Sequence, residues 1–109
     1  MNLKKYRWSK DYESAEEELI GMLESKKIVA ERWVADEYES FTAHHHPNDK
    51  QLWCVEGSIL FDINGKEISM QAGDALDLPA NTVHSAKAGF SGCVCYESPT
   101  LDQNPTIQD

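Results

Sequence analysis

The chain is 109 residues long, 40% hydrophobic and 27% charged, with a formal net charge of −9. That length predicts one domain around one core, and an acidic surface excludes nucleic acid and anionic membranes as partners, because both bind through lysine and arginine. No run approaches the roughly 18 apolar residues that a membrane-spanning helix needs.

The polar start Met1-Asn2-Leu3-Lys4-Lys5-Tyr6-Arg7 lacks the apolar centre of a secretory leader. The three cysteines, an odd number, do not form the framework of a disulfide-rich domain. Both features lead us to expect a cytoplasmic protein, with Cys54, Cys93 and Cys95 read as small buried hydrophobes.

Ser14-Ala15-Glu16-Glu17 has the form of a capping box, so a short helix is expected over about 14–25. Ala15, Leu19, Met22 and Leu23 recur at helical spacing and glutamates fill the other faces, which predicts a helix lying across the outside of a sheet. From Ile28 the period changes to two, giving a strand over 28–35. Trp33 in that strand reads as core or dimer-interface packing rather than a ligand-stacking platform, and with its apolar neighbours it predicts a homodimer. Leu52 to Val55 leads to Gly57, and a second alternating run from Ser58 reaches Asn64-Gly65, the strongest short hairpin signal, which pairs 58–64 with 66–71. Short strands are then expected over 75–78, 83–87 and 93–97, separated by turns at Pro79-Ala80-Asn81 and Phe90-Ser91-Gly92. The barrel would span about 28–97 of a single domain 1–98, and 99–109 reads as a polar tail.

Chemistry concentrates between Ala43 and Ser85. Strand alternation puts His44 and His46 on one face and His45 on the other. Two imidazoles on one face make half of a metal site, and His84 would complete it if the fold carried it back. Asp77 and Glu56 are candidates for supporting or substrate contacts, though turn and rim positions are the commoner fate of both.

At these residues the chain resembles the cupin superfamily. Its first motif, a His-x-His pair shortly before a Glu and about ten residues before a Gly, is matched by His44, His46 and Gly57. Its second, Gly followed by Pro, a second Gly and His, is matched by Gly73, Pro79 and His84, with Asn81 in the second Gly position. Asn tolerates a left-handed turn better than any residue but Gly. The resemblance implies an all-β fold, a small jelly-roll β-barrel with one short N-terminal α-helix. It implies His44, His46 and His84 as ligands of a divalent transition metal: Fe, Mn, Ni, Cu or Zn.

The family's acidic ligand has no counterpart here. Counting back from Gly57 its position falls on Lys50, and counting on from His46 it falls on Gln51. Lys repels a cation, whereas Gln51 offers a neutral carbonyl oxygen and completes the candidate metal set. Two classes of function follow. One is a metal-dependent oxygenase or isomerase acting on a small organic molecule, with no catalytic residue assigned. The other is a non-catalytic barrel that binds or senses a small ligand, with or without metal.

Overall fold

Apolar alternation running from Leu52 through Ile63 builds one unbroken strand rather than two, and the mirror pattern from His84 to Ser98 does the same at the far end of the chain. The computed structural model describes residues 1–10 and 13–98; the expected tail 99–109 lies outside the described residues. In chain order the elements are β1 Lys4–Arg7, α1 Ala15–Lys26, β2 Glu31–Ala35, β3 Ser40–His44, β4 Lys50–Ile63, β5 Lys66–Gln71, β6 Asp74–Leu78 and β7 His84–Ser98. The strands form one antiparallel sheet in the order β1-β6-β4-β7-β2, with β3 also on β7 and β5 also on β4. This is the all-β jelly-roll arrangement with one short helix.

The β4–β7 ladder is the spine. It runs from Gln51↔Ser98 to Ile63↔His84 and slips in register around residues 54–59, where Gly57 and Gly92 meet in left-handed conformations at φ 73° and 71°. A Cβ on Gly57 would lie 2.1 Å from the Gly92 carbonyl oxygen, so the two backbones can cross this closely only because Gly57 has no side chain. The signals read as chain breaks at Gly57 and at Phe90-Ser91-Gly92 are therefore bends inside continuous strands, as glycine-marked bulges are.

The ribbon separates two apolar clusters. One face packs Leu52, Cys54, Ile59, Phe61, Met70, Leu76, Leu78, Cys93 and Cys95 inside the barrel. The other carries Trp53, Val55, Ala75, Val94 and Tyr96, covered by Ala15, Leu19 and Leu23 of α1. Leu19 is wholly buried, and such a side chain contributes roughly 1.5–3 kcal/mol.

The helix lies where its amphipathic pattern predicts, but Ser14 makes no side-chain capping bond. Glu16, the second residue of the helix, instead accepts hydrogen bonds from Arg32 at 2.7 Å and from the Tyr96 hydroxyl at 2.6 Å, tying α1 to β2 and β7. Lys27 ends the helix in a left-handed conformation, its N–H donating to the Glu24 and Leu23 carbonyls. Two further departures concern strands. β2 begins at Glu31 rather than Ile28, and β1 was not foreseen; it pairs with β6 and is pinned by Arg7 on the buried Asp74 carboxylate at 2.8 Å.

Gly57→Ala is expected to lower stability by about 2 kcal/mol or more beyond the loss from Gly65→Ala. Both sites have positive φ, but at Gly65 an added Cβ meets nothing within 4 Å. Urea unfolding of the two variants decides it, and equal losses would mean that the crossing at Gly57 is not tight.

Candidate metal centre

β3 ends at His44, which pairs directly with His84 at the start of β7. The chain then leaves the sheet, so His46 is placed by the loop rather than by strand alternation. That loop is clamped to the turn before β7: the Asn81 N–H donates to the His46 carbonyl at 2.7 Å, and the Ala80 N–H donates to Asp49 Oδ1 at 2.7 Å. Asn81 holds φ 61°, the left-handed position that the second motif requires.

The result is a cluster in which ligand atoms of His44, His46 and His84 all lie within 4.8 Å of one another. An ion about 2.1 Å from each nitrogen holds any two of them at most about 4.2 Å apart, so the rings would draw inward to share one. Among the described residues this is the only group of three His, Cys, Asp or Glu side chains so arranged. Ring centroids are 4.9 Å apart for His44–His46, 4.3 Å for His44–His84 and 5.3 Å for His46–His84.

Two of the rings are locked from behind. His44 Nδ1 lies 2.8 Å from the Thr42 carbonyl and His84 Nδ1 lies 2.9 Å from the Thr82 carbonyl. A carbonyl oxygen only accepts, so in each ring Nδ1 carries the proton and Nε2 keeps its lone pair, the arrangement that orients metal-binding histidines.

Burial pushes the His84 pKa below its ordinary value of 6.5, with the neighbouring His44 adding to the depression and the bond to Thr82 opposing it. Burial also lowers that of His46, followed by the positive charge of Lys50, with Glu97 opposing. Both shifts favour the neutral ring, the state that can donate a lone pair.

Two of the triad, His44 and His84, face a cavity of about 250 Å³ lined also by Trp33, Val34, Phe41, Leu52, Phe61, Ala86 and Glu97. Trp33 faces this space, stacking edge-on to Phe41 at 5.7 Å, and its Nε1–H is buried with no acceptor among the described residues. Lys50 pairs with Glu97 at 2.9 Å, their side chains only 13% and 21% exposed. A larger depression of about 580 Å³, lined in part by Glu56 and Cys93, lies elsewhere and gathers no such donor set.

The structure does not bring Gln51 to the triad. On β4 it shares the face of Trp53, which packs under the helix, and its amide donates to the Tyr6 hydroxyl and, at 2.8 Å, to Asp77 Oδ1. Burial followed by the Asp77 charge pushes the Tyr6 pKa up to about 12. Asp77 therefore serves this buried network. Lys50 shares the inward face of Leu52. Sequence reasoning missed Glu97, although it alternates in step with Cys93 and Cys95, whose inward direction was the available signal.

Comparison with known proteins agrees with this geometry. Residues 32–93, more than half of the chain, match the family described as the cupin domain. The chain belongs to the cupin family. It is 40% identical over 42 residues to quercetin 2,3-dioxygenase of Bacillus subtilis, covering 38% of this chain and 12% of that enzyme. It is 44% identical over 39 residues to the tetracenomycin polyketide synthase protein TcmJ of Streptomyces glaucescens, covering 35% and 26% of the two. The chain thus spans well under half the length of these relatives. An RmlC-like cupin from Shewanella frigidimarina superposes with a TM-score of 0.59 at 22% identity, over 69% of this chain and 68% of that one, a likeness of fold.

Because the unfolded chain keeps histidine pKa values near 6.5 and the fold depresses those of His46 and His84, the unfolded state binds more protons at acid pH. Stability of the metal-free protein should therefore fall as pH drops from about 6.5 through the depressed values. Urea titrations in chelator at pH 7.5 and 5.5 check this. His84→Gln should weaken the pH dependence, and an unchanged slope would remove His84 as its source.

Proposed function

We propose that this protein holds a divalent transition metal through His44, His46 and His84 and binds a small organic molecule in the adjoining cavity. The observation that carries the reading is the convergence of the three imidazoles, two of them with Nδ1 occupied by a backbone carbonyl and Nε2 left to donate. Such a centre keeps coordination positions open, and a bound ion would supply Lewis-acid or redox chemistry there. The choice among Fe, Mn, Ni, Cu and Zn stays open, since imidazole suits them all.

The chain's own residues do the rest. An apolar cavity of about 150 Å³ takes up benzene, so about 250 Å³ suits one ring with substituents. Trp33, Phe41, Phe61 and Leu52 would exclude water from it. The 42-residue match to quercetin 2,3-dioxygenase supports an oxygenase in preference to an isomerase. A second reading, a ligand-binding or sensing barrel without catalysis, is favoured by Lys50 at the position of the family's acidic ligand. The buried free thiols of Cys54, Cys93 and Cys95 suit the cytoplasm, a reducing compartment.

Elemental analysis of protein purified without a nickel column tests the proposal. Close to one transition-metal ion per chain is expected for the wild type and background content for His84→Ala; equal content in both would remove the triad as the site.

A homodimer is also proposed, on a ground that differs from the sequence-based one. Trp33 turns inward, but β2 pairs on one side only and its Val34 remains 57% exposed, with Val29 just before the strand 80% exposed. Light scattering should give about twice the 12.3 kDa of one chain, shifting toward one chain in Val34→Lys. A single-chain mass for the wild type at micromolar concentration would contradict it.

A further inference from the structure

The metal reading leaves an electrostatic debt in the barrel. Three neutral imidazoles do nothing to offset the double positive charge of a divalent ion, and the cavity beside them is largely apolar, where an uncompensated charge is costly. Lys50 adds to the problem. Its ammonium lies 2.9 Å from Glu97, which lines the same cavity as His44 and His84.

Glu97 answers it. It is the one carboxylate among the described residues lining the cavity that His44 and His84 also line, although it is not among the side chains whose ligand atoms already converge. Its position is built rather than accidental: β7 pairs Glu97 with Leu52, and the inward faces of both strands there belong to the barrel core. Its Oε2 is held by Lys50 at 2.9 Å in a pair that is mostly out of water. A buried ion pair is a weak way to stabilise a fold, because desolvation of the two charges offsets their attraction, so packing alone does not account for this one.

We propose that Glu97 is the acidic ligand of this centre, supplied from β7 instead of from the β4 position that Lys50 occupies, and that Lys50 holds the carboxylate until an ion takes it. Lys50 is then a positioning residue. Its ammonium holds Glu97 inside the cavity in the metal-free protein, and the two cations compete for one carboxylate. This rests on the three-histidine reading above.

The test uses cobalt(II) as the probe, with the metal-free full-length protein, a competing chelator for affinity and the visible absorption of the bound ion for its ligand set. Glu97→Gln is expected to weaken cobalt binding about tenfold or more and to change the absorption bands. Lys50→Met should act in the opposite direction, tightening binding about threefold or more by releasing Glu97, which a variant that merely folds badly would not do. Circular dichroism confirms that each variant is folded. Cobalt bands left unchanged by Glu97→Gln, whatever the affinity, would overturn the proposal while leaving the triad in place, provided that His84→Ala abolishes binding. Cobalt binding that survives His84→Ala would remove the triad itself, and with it the role of Glu97.

Discussion

The protein depends on the folding over of one two-stranded ribbon. His84 and Glu97 stand at opposite ends of β7, which in an extended strand would hold them roughly 43 Å apart at about 3.3 Å per residue. Both nevertheless line one cavity of about 250 Å³, together with Leu52 and Phe61 from opposite halves of β4. Only a sharp bend in both strands brings those ends together. It occurs where Gly57 and Gly92 meet with positive φ and where the β4–β7 register slips. The left-handed backbone and the missing side chain at Gly57 are thus conditions of the site as much as of the barrel.

Given that bend, local bonding does the positioning. The sheet supplies His44 and His84 as neighbours, the clamp from Asn81 to the His46 carbonyl supplies the third ring, and the threonine carbonyls fix which nitrogen faces inward. The three rings come from two strands and a loop that touch only in the folded state, so the donor set is a consequence of tertiary structure. Its surroundings are mixed in kind. An apolar aromatic wall meets one largely buried ion pair there.

Much of this was legible in the sequence because the relevant signals are local. The Asn64-Gly65 hairpin pairs the strands as its turn chemistry demands, the spacing of Ala15, Leu19 and Leu23 marks the helix face that is buried, and the two histidine motifs name the three rings that converge. What could not be read is what depends on a partner far along the chain. Gly57 and Gly92 carry the same letter whether they end a strand or bend it, and only their mutual contact separates the two outcomes. Gln51 and Lys50 differ by one residue, hence by opposite faces, and the face is fixed by packing against the helix rather than by the count from His46. Glu97 looked like the polar end of a strand because Lys50 lies 47 residues away. β1 was hidden for a similar reason, its few residues being held by β6 and the buried Asp74 rather than by a pattern of their own.

The central claim is that the folded ribbon builds one metal-binding pocket at the meeting point of His44, His46 and His84. Anomalous diffraction from crystals grown with cobalt(II) tests this most directly. The account predicts one strong peak per chain within bonding distance of all three rings. A peak elsewhere, or no peak in a crystal whose three rings are ordered, would contradict it.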